Sequence, residues 1–133
     1  MPYVNLKLVK GQATPEQRRQ LCEGLTDLIV AIMGRNRDFT VITVDELENG
    51  QWWVGGKALE EWRDDRKAAS VNIKISKGTS SPEEMARMIA AGKELFVKVL
   101  GEVETANYFI IDELNPDAWG FDGIPMTVRN RPK

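Results

Sequence analysis

The chain has 133 residues, a hydrophobic fraction of 42% and a formal net charge of −2, which fits one soluble domain and argues against a nucleic-acid partner, because phosphate binding needs a concentrated basic surface. It contains no histidine and a single cysteine, Cys22, so a zinc site, a Ser-His-Asp triad and an internal disulfide are excluded. The lack of a long apolar run or secretion signal predicts no membrane partner and a cytoplasmic location.

The first third of the chain predicts a strand, a helix and a second strand. Residues 2–8 alternate apolar and polar side chains, the period of a half-buried strand. Residues 14–17 then combine a threonine cap, a proline at the first helical position and a glutamine three residues after the cap, which is a capping box. Gly34 marks the helix end, and the β-branched stretch 39–47 predicts the second strand. Gly55-Gly56 indicates a hairpin turn.

The second half of the chain repeats the first at a constant offset. Residues 2–11 align with residues 69–78, an offset of 67 (69 minus 2). The same offset pairs the two capping boxes, the two helix-ending glycines and an Asp-Glu-Leu sequence at the end of each second strand. The second unit therefore predicts a strand, a helix and a strand at 107–114, and Met85 and Met88 are interpreted as core residues of its helix, together with Ile89.

Two such units predict an α+β fold in a single domain, residues 1–133. The first β-α-β unit covers 1–58, a connector covers 59–68, and the second unit with its tail covers 69–133. Because about twenty helical residues separate the strands of each unit, those strands are expected to be parallel, in a four-stranded sheet with both helices on one face. The charged connector is expected to be partly helical and to lie outside the core.

The opposite sheet face carries a repeated Val-Asn-x-Lys pattern. Asn5 and Lys7 in the first unit correspond to Asn72 and Lys74 in the second. This face is either solvated or the place where the sheets of several chains meet, and the pattern leaves both readings open.

In their order, these features resemble the tautomerase superfamily, specifically a 4-oxalocrotonate tautomerase subunit. The resemblance rests on Met1-Pro2, a strand ending in Lys10-Gly11, a capped helix, a strand ending in 45–47, and the sequence Gly-Gln-Trp-Trp-Val-Gly-Gly at 50–56. It covers each half, so the chain looks like a fused pair of such subunits. The family resemblance implies the tautomerase fold, a homotrimer of fused chains whose inner sheet faces meet around one axis, and chemistry without a cofactor.

Pro2 is the catalytic residue that the resemblance implies. A small second residue normally permits removal of Met1, which leaves Pro2 with a free secondary amine. As a general base, this amine moves a proton from one position of a 2-hydroxydienoate, or of the enol of a 2-oxo acid, to a carbon atom. Ala69 takes the equivalent place in the second unit, where the nitrogen is an amide, so at most one site per chain uses this chemistry.

Two alternatives remain open on the sequence. A charged Pro2 would act as an acid in decarboxylation, hydration or a dehalogenase-like reaction of a short 3-carbon acid. A non-catalytic oligomeric module is the other possibility, because the sequence departs from the family where it binds carboxylates. The family's two arginine positions are Gln12 and Val41 in the first unit, and Thr79 and Tyr108 in the second.

A small carboxylate substrate therefore needs other cations, and no metal site is predicted. Arg35 and Arg37 follow the first helix, whereas Glu102 and Glu104 hold the matching positions in the second unit. Of the two tryptophans at the family's aromatic position, Trp119 is the expected neighbour of Pro2 within one chain. The candidate substrate-binding residues are Arg35, Arg37, Lys74, Lys77, Tyr108, Trp119 and Trp52, with Tyr108 as a hydrogen-bond donor to an enolate.

Overall fold

The computed structural model describes residues 1–62 and 65–129, and its centre is a four-stranded mixed sheet with two long helices on one face. This confirms the predicted α+β architecture. The strands are β1 (Tyr3–Val9), β2 (Val41–Leu47), β3 (Trp53–Val54), β4 (Lys57–Ala58), β5 (Ala69–Ser76), β6 (Phe109–Leu114), β7 (Gly120–Phe121) and β8 (Ile124–Pro125). The helices are α1 (Pro15–Met33), α2 (Pro82–Leu100) and the short α3 (Met126–Arg129).

The central sheet has the order β2-β1-β5-β6. Strands within a unit are parallel, as predicted, and the two units meet through the antiparallel pair β1 and β5. Asn5 lies opposite Asn72 in that pair, the self-pairing expected when two equivalent units meet about a local twofold axis. The small strands form two hairpins, β3 with β4 and β7 with β8, and the first turns at Gly55-Gly56 as predicted, with positive φ at both glycines.

The two long helices begin at the predicted capping boxes. The Thr14 hydroxyl accepts a hydrogen bond from the Gln17 amide at 3.1 Å, and the Gln17 side chain accepts one from the Thr14 amide at 2.9 Å. Ser81 and Glu84 repeat this arrangement at α2. Gly34 ends α1 in the left-handed region, with φ of 64°, a conformation that glycine adopts without steric cost.

The core lies between the sheet and the helices. Val4, Leu6 and Leu8 of β1 are at most 2% exposed, and so are Val71, Ile73 and Ile75 of β5. They pack against buried residues of α1 and α2, of which the largest are Leu21, Leu25, Ile29, Met88 and Phe96. Each such side chain stabilises the fold by about 1.5–3 kcal/mol relative to an exposed one.

The starts of two strands and the exposure of one helix residue differ from the prediction. The second strand begins at Val41 and not at residue 39, because Arg37–Phe39 form a 3₁₀ turn whose start is capped by the Asn36 side chain on the Asp38 amide. The last long strand begins at Phe109 and not at residue 107. Ile89 is 43% exposed, so it does not belong to the buried stripe of α2.

The connector is partly helical, as predicted, with a 3₁₀ turn at Leu59–Glu61. The prediction that it lies outside the core is wrong for Leu59, which is 6% exposed and packs in a second small apolar cluster with Val9 and Ala68. Trp52 and Trp62 cover that cluster. The predicted connector residues Arg63 and Asp64 lie outside the described residues.

The sheet face away from the helices, here called the open face, carries Tyr3, Asn5 and Lys7 on β1 and their neighbours on the other strands. The Asn5 amide donates to Thr43 Oγ1 and to Asp45 Oδ2, both at 3.1 Å. Large apolar side chains are also exposed on this face, namely Val41 (50%) and Ile110 (46%). In the described ranges, none of the helices is both long enough and apolar enough to cross a membrane.

Candidate active site

Pro2 lies at the start of β1, beside a cavity of about 320 Å³. Pro2 is buried, and its carbonyl oxygen accepts a 3.4 Å hydrogen bond from the Val41 amide, which anchors the chain end to the neighbouring strand. The cavity lies between the two units. Its lining residues are Met1, Pro2, Tyr3, Asp38, Phe39 and Val41 from the first unit, and Lys74, Leu114, Trp119, Gly120, Phe121 and Met126 from the second.

The terminal amine of the chain is electrostatically disfavoured as a cation. Burial lowers the pKa of the Met1 α-amino group below its usual value of 8.0, and the positive charge of Arg35 acts in the same direction. Both effects destabilise the ammonium form, because burial removes its solvation and a like charge repels it. An amine at this end of β1 is therefore biased toward the neutral form that accepts protons.

Arg35 lies across the boundary between the two units. Its Nη2 donates to Thr79 O at 3.1 Å, to Thr79 Oγ1 at 3.0 Å and to Ser80 Oγ at 2.6 Å. Its Nε is buried and has no hydrogen-bond partner within residues 1–62 and 65–129. Arg35 is thus held against the loop before α2 and does not line the cavity, although its charge acts on the terminal amine.

Lys74 is the predicted cation that reaches the cavity lining. Its ammonium lies 2.9 Å from Asp112 Oδ2 on the adjacent strand, and its side chain is 38% exposed. Asp112 holds the Lys74 side chain along the sheet, while the remaining donors of the ammonium are available to a ligand carboxylate.

The aromatic side chains of Phe39, Trp119 and Phe121, which come from both units, line the cavity and are here called the aromatic wall. The indole nitrogen of Trp119 donates to Ser76 Oγ at 3.0 Å. Phe39 and Phe121 stack with ring centroids 5.1 Å apart and an interplanar angle of 30°. The Arg129 guanidinium lies 3.7 Å from the centroid of the Phe121 ring and donates to the Phe121 carbonyl.

The other candidate residues lie away from the lining of the cavity. Arg37 forms an ion pair with Asp27 at 2.6 Å. Lys77 is exposed after β5, and Tyr108 is 70% exposed on the open face. Trp52 packs in the second small apolar cluster. The structure therefore brings Pro2, Lys74 and Trp119 together and leaves these four apart.

Most of the lining residues lie outside the sequence-based site, and the charged and aromatic side chains among them are Asp38, Phe39, Phe121 and Tyr3. The sequence predicts Phe39 as part of a strand, where its ring would join a sheet face. Phe121 follows Trp119 by two residues in a hairpin, and that spacing is the one local signal that could have placed it near the site. Their contact joins distant parts of the sequence, so no periodic pattern reports it.

The equivalent position in the second unit has a different environment. Ala69 is fully buried, and its amide donates to Asn107 Oδ1 at 3.1 Å. The preceding amide, that of Ala68, donates to Gln12 Oε1 at 2.9 Å. Both nitrogens are therefore hydrogen-bonded amides, which lack a basic lone pair. Across residues 1–62 and 65–129, no group of three or more His, Cys, Asp or Glu side chains is placed to hold a metal ion.

A sequence model of the tautomerase enzyme family matches the chain twice, at residues 2–61 and 70–129. Among curated relatives, the probable tautomerase K2 of Dickeya dadantii is 41% identical over 63 residues, which cover 94% of that protein and 47% of this chain. The 2-hydroxymuconate tautomerase of Bacillus subtilis is 33% identical over 61 residues, covering 97% of that protein and 46% of this chain. Each of these relatives is thus about as long as one unit.

Solved structures match the whole chain. A native fused 4-OT superposes with a TM-score of 0.86 at 19% identity, covering 97% of this chain and 99% of that one. A fused 4-OT described as a symmetric trimer has a TM-score of 0.81, also at 19% identity, with the same coverage of both chains. At this identity the superpositions establish the fold, including the tandem arrangement of the two units.

Proposed function

The chain belongs to the tautomerase family, and from this premise we propose that it isomerises a small 2-hydroxydienoate or the enol of a 2-oxo acid, with the Pro2 amine as general base. The observation that carries the proposal is the buried chain end, which lies against the cavity and whose amine has a lowered pKa. Removal of Met1 would turn the Pro2 nitrogen into the terminal amine and would enlarge the cavity that Met1 now lines. The burial and the Arg35 charge that act on Met1 would then act on Pro2.

The proposed reaction is a proton transfer in two steps. The neutral Pro2 amine accepts the proton of the substrate's 2-hydroxyl group, and the electron pair of that O–H bond forms the carbonyl. The displaced carbon–carbon π electrons then take the proton back from the Pro2 ammonium at a carbon atom. Nothing is consumed, and Pro2 returns to its neutral form. A base works best when its pKa lies near the operating pH, and the lowered pKa serves that requirement.

Lys74 is the proposed carboxylate-binding residue. Its ammonium is positioned by Asp112 at 2.9 Å and lines the same cavity as Pro2. A substrate carboxylate bound there would place the 2-hydroxyl group toward the chain end. Holding the substrate in this orientation would make the proton transfer to Pro2 faster than the same transfer in solution. Trp119 and the stacked Phe39–Phe121 pair would exclude water on the other side.

The direction of the amine pKa favours the base role over the acid role. An acid in decarboxylation or hydration must carry its proton at neutral pH, which requires a raised or unperturbed pKa. Burial and the Arg35 charge both lower the pKa of the Met1 amine, and after removal of Met1 the same surroundings would act on the Pro2 amine. Isomerisation is therefore the better supported reaction.

We also propose that three chains assemble through their open faces. This face exposes Val41 and Ile110, and the buried Oδ1 atom of Asn72 has no hydrogen-bond partner in the part of the chain that the structure describes. Both features are expected for a surface that is completed by another chain. The fused 4-OT trimer of similar fold supports the assembly. Light scattering at micromolar concentration should give the mass of three chains, and a monomeric mass would refute this part of the proposal.

The function is tested by an assay of enol ketonisation with the wild type and Pro2→Ala, after mass spectrometry has established the N-terminal residue. Wild type should lack Met1 and should convert 2-hydroxymuconate or phenylenolpyruvate, while Pro2→Ala should lose about 10²–10⁴-fold in kcat/KM, the usual contribution of a general base. Pro15→Ala, a proline at the start of α1, is the matched control and should retain activity. Equal activity of Pro2→Ala and wild type, or a retained Met1 in an active enzyme, would exclude Pro2 as the base.

A further inference from the structure

The cavity beside Pro2 is bounded mainly by hydrocarbon. Its lining includes the apolar side chains of Phe39, Trp119, Phe121, Met126 and Leu114. An apolar ring gains free energy when it leaves water for such a wall, whereas a carboxylate placed there would lose its hydration without finding a partner. The shape and chemistry of this wall therefore suit a flat apolar group.

The charged side chains in the described lining are Lys74 and Asp38. One cation can hold one carboxylate, and a second carboxylate in the cavity would meet Asp38, which repels it. The arginines near the site are engaged in other contacts. Arg35 is bound to Thr79 and Ser80, and Arg37 is paired with Asp27 at 2.6 Å. Arg129 lies over the Phe121 ring and donates to the Phe121 carbonyl.

The aromatic wall is held in place by contacts between the units. Phe39 belongs to the first unit and Phe121 to the hairpin of the second, and their rings stack at 5.1 Å. Arg129 covers Phe121 at 3.7 Å from its ring centroid and bonds its carbonyl, which adds a cation–π contact. Because Phe121 is fixed between Phe39 and Arg129, it presents a defined surface to a ligand.

We propose that this site selects enols with one carboxylate and an aryl substituent over dicarboxylates, and that Asp38 and the Phe39–Phe121 pair determine this selectivity. The proposal rests on the function proposed above and names its substrate class. The carboxylate binds Lys74, the enol faces Pro2, and the aryl ring packs on the aromatic wall. A hydrophobic surface and a repelling charge together discriminate more strongly than either one alone.

The test compares kcat/KM for phenylenolpyruvate, which has one carboxylate and a phenyl ring, with kcat/KM for 2-hydroxymuconate, which has two carboxylates. Wild type should favour phenylenolpyruvate at least tenfold. Asp38→Asn should raise kcat/KM for 2-hydroxymuconate several-fold and change that for phenylenolpyruvate less than twofold. Phe121→Leu should lower kcat/KM for phenylenolpyruvate about tenfold and leave 2-hydroxymuconate nearly unchanged.

Glu94→Gln is the matched control. Glu94 is an exposed acid of α2 and lies outside the lining of the cavity. It should leave the substrate ratio as in wild type. A preference for 2-hydroxymuconate, or a ratio unaffected by Asp38→Asn and Phe121→Leu, would overturn the selectivity while leaving the Pro2 mechanism in place. Loss of both activities from the trimmed wild type would instead defeat the proposed function and the selectivity with it.

Discussion

Pro2 and Ala69 occupy equivalent places in the repeat, at the beginning of β1 and of β5. They differ in the residues that precede them and in the hydrogen bonds of their nitrogen atoms. Pro2 is preceded by Met1 alone in this sequence, and both residues line the cavity. At Ala69 the chain continues into the connector, and the amides of Ala68 and Ala69 are bound by Gln12 and Asn107. In the proposed mechanism, equivalent positions in the repeat therefore carry a reactive amine at one end, after Met1 is removed, and an inert amide at the other.

The surroundings of the two ends also differ. At the offset of 67, Ala106 and Val54 correspond to Phe39 and Phe121, and Glu102 corresponds to Arg35. The second end thus lacks both the aromatic stack and the cation that acts on the amine. The proposed catalytic role of the first end depends on a free nitrogen and on side chains that the other unit does not repeat.

The largest expected effect comes from giving the first end the chemistry of the second. An N-terminal extension before Pro2, such as Gly-Ser, would turn its nitrogen into an amide. Activity on enol substrates should fall at least about 10²-fold, because the general base is lost. The measurement is kcat/KM before and after a protease removes the extension to expose Pro2. Activity that is unchanged by removal would show that the free terminus is not required.

A smaller effect is expected from the two equivalent lysines. Lys74→Met removes the cation of the cavity and should lower kcat/KM about tenfold, since a hydrogen bond to a charged group contributes about 1.5–3 kcal/mol. Lys7→Met removes the equivalent lysine, which pairs with Asp45 at 3.5 Å on the first unit, and should change kcat/KM less than twofold. Steady-state kinetics of both variants give the two values of kcat/KM. An equal loss in the two variants would show that Lys74 does not bind the substrate carboxylate.

The two arginines after α1 provide a test of pH dependence. A general base works in its neutral form, so kcat/KM should fall as the pH drops through the pKa of the terminal amine. Arg35→Met removes a nearby positive charge, which should raise that pKa and move the acid limb of the profile to higher pH. Arg37→Met, whose charge is paired with Asp27, should leave the limb in place. An unmoved limb in Arg35→Met would mean that burial alone lowers the pKa.

The smallest expected effect concerns stability and the central asparagines. Asn5→Ala removes three hydrogen bonds, two donated to Thr43 and Asp45 and one accepted from Lys7, and should lower the free energy of unfolding by about 1 kcal/mol. Asn72→Ala removes an oxygen that has no partner among the described residues and should cost less. Urea unfolding of both variants gives the comparison. A larger loss for Asn72→Ala would indicate that another chain completes its hydrogen bonding in the assembly.

The fold could be predicted almost completely because its signals are local and occur twice. The capping boxes, the alternation in residues 2–8 and the constant offset each depend on short stretches of sequence. The predictions were wrong where a single side chain determined the local structure or its burial. The Asn36 side chain caps a 3₁₀ turn where the sequence predicts a strand. Leu59 is buried in a small apolar cluster, although the charged residues around it predict a segment outside the core.

The site could be predicted only in part. Pro2, Lys74 and Trp119 follow from their places in the repeat, and they line one cavity. Phe39 and Phe121 meet across the boundary between the units, so neither stretch of sequence alone indicates the contact. The position of Arg35 likewise depends on Thr79 and Ser80, which lie in the other unit.

Asn5 pairs with Asn72 across the local twofold axis, and this pairing has a consequence for the evolution of the sequence. Where two separate copies of one short gene product meet about such an axis, every substitution is made twice, and an altered residue faces its own duplicate. Here each substitution is made once. The charge at one position can therefore differ between the two units, as it does between Arg35 and Glu102, without any change in the other unit. The single covalent chain thus frees one half to specialise while the other preserves the sheet.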